Sequence, residues 1–145
     1  MSTWYYPKNV EDVTAFLKHR REQLGYSMCE LERLSGVTEA TISRVEQDLH
    51  CPRLSTVDKL LTALEVSAAY CVHRGPRGPP LGYCHLADVP RSCRRKRTSS
   101  ARAIAAVAGC DHKVVLELEA GADLRFRIYA AITRALGFAP IACRL

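Results

Sequence analysis

The sequence predicts a mainly α protein of two small tandem bundles, four to five helices in each, with a short β-strand after each bundle. Three observations predict it: apolar residues at helical spacing between caps and glycines, a Pro/Gly-rich interruption near the middle, and an internal repeat of the same pattern. At 145 residues the chain suffices for one or two small domains and is too short for a large α/β enzyme. The chain is expected to divide into a domain at 1–70, a linker at 71–90 and a second domain at 91–145.

The first helix covers residues 10–24. Val13, Phe16, Leu17 and Leu24 recur at helical spacing, Asn9 stands as N-cap, Glu11 and Asp12 occupy the first turn, and Gly25 stops the run. Ser27 and Glu30 then fit a capping box ahead of a short helix whose Leu31 and Leu34 are expected to face inward before Gly36 ends it. Thr38 caps a third helix with Ile42 and Val45 inward. Pro52 precedes a fourth, striped by Leu54, Val57, Leu60, Leu61 and Leu64. Pro76, Pro79, Pro80 and Pro90, with Gly75, Gly78 and Gly82, leave no regular helix in the linker. Beyond it three periodic segments are separated by Gly109 and Gly121, and strands are expected around Ala68–Val72 and Ile141–Leu145.

The two halves align with a shift of 73, later 72. Arg21, Ser27, Gly36 and Glu46 fall on Arg94, Ser100, Gly109 and Glu119; Leu31, Leu34, Ile42 and Val45 fall on Ile104, Val107, Val115 and Leu118. After one deletion, Arg53, Ala63 and Leu64 fall on Arg125, Ala135 and Leu136, with Leu54, Leu60 and Val66 on Phe126, Ile132 and Phe138. Caps, turns and core positions agree in one register.

Charge is distributed unevenly. Residues 1–70 carry 8 Lys/Arg against 10 Asp/Glu, net −2, and residues 71–145 carry 13 against 5, net +8, which together give +6. A basic balance favours an acidic partner such as nucleic acid. No run of about 18 apolar residues and no secretory leader are present, so no membrane association and a cytoplasmic location are expected. Seven scattered cysteines do not form a secreted disulfide framework. Cys71, His73, Cys84, His85 and Cys93 have zinc-ligand chemistry but no C-x-x-C spacing, so no metal and no cofactor are expected. Nor does a nucleophile with an oxyanion-hole signature point to an enzyme.

The segment from Ser27 to Val66, with Leu-x-x-Leu-x-Gly-Val-Thr at the turn, Ile-Ser-Arg-Val-Glu after it and Pro-x-Leu-x-Thr-x-x-x-Leu-x-x-Ala-Leu in the fourth helix, resembles the helix-turn-helix of the Cro and lambda-repressor type. This is the xenobiotic-response-element family, and the resemblance covers residues 10–66. It implies tandem helix-turn-helix bundles and a sequence-specific, double-stranded DNA-binding transcriptional regulator, a repressor, that reads the major groove with helix 38–47. Glu39, Ala40, Ser43 and Arg44 face outward there. Arg44 can donate a bidentate pair to guanine, or serve only as a surface cation, and Glu39 can accept from a cytosine amino group. Helix N-termini supply the expected phosphate contacts: Ser27 and Met28, Thr38 and Thr41, and Arg53, Ser55 and Thr56. Met28 departs from the family, which has Gln there to reach phosphate. Arg21 and Glu46 match a structural ion pair of the family, and Arg94 with Glu119 is its expected repeat.

Residues 100–138 resemble a divergent member of the same family. Val114, Leu116 and Glu117 stand where the first copy has Thr41, Ser43 and Arg44, which suits a protein partner better than a groove. Arg91, Arg95, Lys96, Arg97 and Arg102 form an auxiliary basic patch: a solvated face, a clamp on flanking phosphates, or a seat for an acidic protein. Two arrangements could supply two half-sites, a homodimer through the C-terminal half or a single chain whose halves face each other. The homodimer is preferred because the two outward faces are chemically unlike. The alternative function is an antitoxin or anti-activator that docks a protein through the C-terminal repeat.

Overall fold

Local chemistry sets most of the helix ends. The structure is a computed structural model and describes residues 4–72 and 84–145. Helix α1, Val10–Leu24, starts where the Asn9 side chain accepts from the Asp12 N–H at 2.8 Å and stops at Gly25, whose φ of 74° is the left-handed conformation that glycine adopts without strain. Helix α2, Met28–Ser35, opens on the Ser27/Glu30 capping box, and α3, Glu39–Glu46, on Thr38. Helix α4 spans Leu54–Ala63 and leads into β1, Ser67–Val72.

The second half repeats this order. A 3-10 turn at Leu86–Asp88 and Pro90 in the first turn begin α5, Val89–Lys96; Ser100 caps α6, Ala101–Ala108; Asp111 caps α7, His112–Glu119; α8 covers Phe126–Ala135 and β2 Ala139–Arg144. Adding 73 to the bounds of α2 and α3 gives those of α6 and α7, and adding 72 to α4 and β1 gives those of α8 and β2. Within the expected linker, 71–90, Cys71 and Val72 belong to β1, Leu86–Asp88 to the 3-10 turn, and Val89 and Pro90 to α5. Residues 73–83, His73 among them, lie outside the described residues.

The two strands pair with each other. β1 and β2 run antiparallel, Ser67 opposite Arg144 and Val72 opposite Ala139. Tyr5 bridges the outer edge of β2 at Cys143, and Cys84 bridges that of β1 at Tyr70, so each outer edge is paired at one position. Between Tyr70 and Val72 the ladder needs a substitute, because Pro140 has no N–H to give. Cys71 turns to a φ of 53° and donates its N–H to the Tyr129 hydroxyl at 3.0 Å, and that hydroxyl donates in turn to the Pro140 carbonyl. Tyr129 thereby satisfies two backbone groups in a fully buried place.

A two-stranded sheet alone is marginal in water, so the halves are held mainly by apolar burial. One cluster runs through both: Val13, Leu17, Leu31, Ile42 and Val45 of the first half are continuous, through Leu54, Val57 and Leu61, with Phe126, Tyr129, Ile132 and Ile141 of the second. The structure thus adopts the arrangement in which two halves of one chain face each other. Two expected core residues lie elsewhere. Leu34 is 44% exposed and Val107, its repeat, 75%, because each sits in the last turn of an eight-residue helix, beyond the edge of the core.

Candidate nucleic-acid interface

The turn between α2 and α3 is built to hold α3 at a fixed angle. Gly36 takes a φ of 78°, Val37 is buried, and Thr38 accepts from the Thr41 N–H at 3.3 Å, so three residues join the two helices. Ile42 and Val45 anchor the inner face of α3 in the core. Its C-terminal turn is tied to α1: Arg21 Nε lies 2.6 Å from Glu46 Oε1 and Arg21 Nη2 3.0 Å from Oε2, while Arg21 also donates to the Tyr26 carbonyl. This bidentate pair is nearly dry, with side chains 12% and 5% exposed.

The outer face of α3 carries Glu39, Ala40 and Arg44, all exposed, with Ser43 half-buried and accepting from Gln47 Nε2 at 2.9 Å. Gln47, which the sequence reading passed over, therefore belongs to this face, and its spacing of four from Ser43 was the available signal. Arg44 lies in the last turn of α3 and is exposed. A helix presenting an arginine, a carboxylate and a hydroxyl on one rigid face has the donors and acceptors that base edges match.

The expected phosphate contacts fare unequally. Thr38 and Thr41 stand together at the N-terminus of α3, their hydroxyls 2.8 Å apart. The Ser27 hydroxyl is committed to its capping box, accepting from the Glu30 N–H and donating to the Glu30 carboxylate. Met28 is half-buried against the core and offers only a first-turn N–H. Arg53 and Ser55 are engaged within the chain. Arg53 Nη1 donates to the Asp123 carbonyl at 2.6 Å, and the Ser55 N–H and hydroxyl both donate to the Asp123 carboxylate. An acidic side chain from the other half caps α4, where a phosphate was expected, and Thr56 is half-buried in the same turn. Across the junction, Leu54 N–H donates to the Leu124 carbonyl, Phe126 N–H to that of Pro52, and Arg125 to that of Cys51.

The second half differs in the same places. Glu119 is buried and its carboxylate pairs with Arg97, Nε to Oε1 at 2.6 Å, whereas Arg94 reaches only the Glu119 backbone carbonyl at 3.3 Å. The expected Arg94 pair is thus displaced by three residues: α5 ends at Lys96, and the extended backbone at Arg97 turns that side chain back. Arg97 therefore leaves the basic patch. Arg91, Arg95 and Lys96 remain on α5 and line a cavity of about 600 Å³ with Cys71, Cys84 and Asp88, while Arg102 stands apart in the first turn of α6. On α7, Leu116 is 45% exposed and Glu117 exposed, but Val114 is half-buried against the core.

Cys71, Cys93 and Cys143 are buried packing residues, whereas Cys29 is exposed. Cys71 and Cys93 sit buried with Sγ atoms 3.3 Å apart, and Cys84 donates to the Tyr70 carbonyl. Burial pushes the Cys84 thiol up to about 11 and the Cys143 thiol up to about 12. Among the described residues no group of three His, Cys, Asp or Glu side chains is placed to hold a metal ion.

The family model described as helix-turn-helix matches residues 17–71, from the middle of α1 to β1. This segment is similar to a helix-turn-helix domain of the Cro and repressor type, the xenobiotic-response-element family. No curated protein and no solved structure matches the chain. Among the described residues no helix is long and apolar enough to cross a membrane.

Proposed function

We propose that the protein is a sequence-specific regulator of transcription, a repressor, that inserts α3 into the major groove of double-stranded DNA. The observation that carries this reading is the outer face of α3: Arg44 and Glu39 are exposed on a helix fixed by the Thr38 cap at one end and by the Arg21–Glu46 pair at the other. Arg44 donates to a guanine edge, Glu39 accepts from a cytosine amino group, and Thr38 and Thr41 donate to phosphate. Occupying a promoter in this way blocks it by exclusion alone.

Gel shift and footprinting on DNA upstream of the protein's own gene test the reading. Arg44→Ala is expected to weaken specific binding by about 1–3 kcal/mol with non-specific binding and melting temperature unchanged. Undiminished specific binding would remove α3 from the groove.

The exposed cations of α5 act as a sequence-independent clamp beside the site. Replacing Arg95 and Lys96 together by Ala should lower the slope of log K against log salt by about 1–2, since each neutralised phosphate contributes about 0.9. An unchanged slope rejects the clamp.

Leu116 favours a second reading, in which the C-terminal half docks a protein, as an antitoxin or anti-activator does. Leu116→Lys separates the two. A docking surface predicts unchanged DNA affinity and lost regulation in cells; a surface resting on DNA predicts tighter binding at low salt.

A further inference from the structure

We propose that a single chain of this protein recognises an asymmetric duplex, with one base-read segment under α3 and a sequence-independent contact under α7; the proposal rests on the reading of α3 above. The first support is a two-fold relation inside the chain. Under the shift of 72, Ser67 corresponds to Ala139 and Val72 to Arg144, so the pair Ser67–Arg144 maps onto the pair Val72–Ala139. The bridge of Arg53 to Arg125 maps onto itself, and the bond from Leu54 N–H to Leu124 maps onto that from Phe126 N–H to Pro52. These are the relations of an isologous dimer interface, closed within one polypeptide. Tyr5 at Cys143 and Cys84 at Tyr70 each occupy one position of an outer strand edge from within the chain.

The second support is that the symmetry of the fold is not matched by the chemistry of the two equivalent helices. In a two-fold dimer each reading helix serves one half-site, and identical helices read a palindrome. Here Glu39, Ala40, Ser43 and Arg44 of α3 correspond to His112, Lys113, Leu116 and Glu117 of α7. Glu117 places a carboxylate where α3 has its guanidinium, and exposed Leu116 replaces a hydroxyl. An acid and an isobutyl group cannot repeat a guanine contact. The second half keeps cations at its margin, with Arg102 in the first turn of α6 and Lys113 in that of α7. These suit phosphates of any sequence.

Selection of the full chain on a randomised duplex pool, followed by mass measurement of the complex, tests the proposal. The expected result is one block of specified base pairs without an inverted copy one helical turn away, one chain per duplex, and less than a twofold change in affinity when the second half-site position is scrambled. An inverted repeat bound by two chains, with a tenfold loss on scrambling one half, overturns this proposal alone. Enrichment of no sequence overturns the reading of α3 together with it. Because Leu116 and Glu117 are exposed, the variant Leu116→Ser with Glu117→Arg keeps the fold. It should turn the selected sequence toward an inverted repeat while retaining one chain per duplex; an unchanged consensus overturns the role given to α7.

Discussion

Replacing Phe126 by Ala is expected to cost about 3–5 kcal/mol of folding stability and to loosen both halves together. Phe126 has no exposed surface, stands edge-on to Tyr129 with ring centroids 5.8 Å apart, and donates its N–H to Pro52 of the other half. Truncation at the junction removes the ring and leaves a cavity that neither α4 nor α8 can close, since both are pinned there by backbone hydrogen bonds. Typical domains have about 5–15 kcal/mol in total, so the loss is a large part of what holds the molecule together. Urea unfolding followed by circular dichroism and by the fluorescence of Trp4, the sole tryptophan, checks it. Trp4 reports on the junction because Arg144 of β2 lies over its ring at 5.2 Å. One coincident, shifted transition is expected. Two separate transitions, the first half melting at its original midpoint, would show that the halves fold independently.

What could be read from the chain beforehand was what short-range chemistry decides. Asn9, Ser27 with Glu30, Gly36, Thr38, Ser100 and Gly109 act on backbone groups within a few residues, and each cap or stop stands where the sequence places it. The outward residues of α3 follow from helical period for the same reason. Period gives a direction but no depth, and so Leu34 and Val107 were expected inside. The junction was illegible because helix N-termini accept any anion. Nothing near Arg53 and Ser55 distinguishes a phosphate from a carboxylate 68 residues further on, and only the fold brings Asp123 there. The repeated Arg53 and Arg125 were visible as an identity, yet their meaning as the centre of a two-fold relation required the strands to be paired. The Arg94 reading failed on a helix end. α1 runs three residues past Arg21, α5 only two past Arg94, and the difference hands Glu119 to Arg97.

That difference makes the two ion pairs unequal, and Glu46→Ala is the sharper test of the reading head. Removing the carboxylate strands Arg21, 12% exposed, beside a vacated acceptor, and breaking a buried pair from one side costs about 3 kcal/mol. For a protein of this size the melting temperature should fall by roughly 6–12 °C. Glu119→Ala should cost less, about 1–2 kcal/mol, because Arg97 is 25% exposed and can turn its charge into water. The double variant Arg21→Met with Glu46→Leu decides the physical cause. If the cost of Glu46→Ala is an orphaned charge, replacing both partners by apolar groups recovers most of it; if packing alone is lost, the double variant stays as unstable as the single. Function separates from stability in the same set. α3 loses its tie to α1 in all the Glu46 variants, so specific DNA binding, measured well below the melting point, should fall even where stability is recovered. Full recovery of binding in the double variant would mean that the core residues Ile42 and Val45 alone position the reading helix.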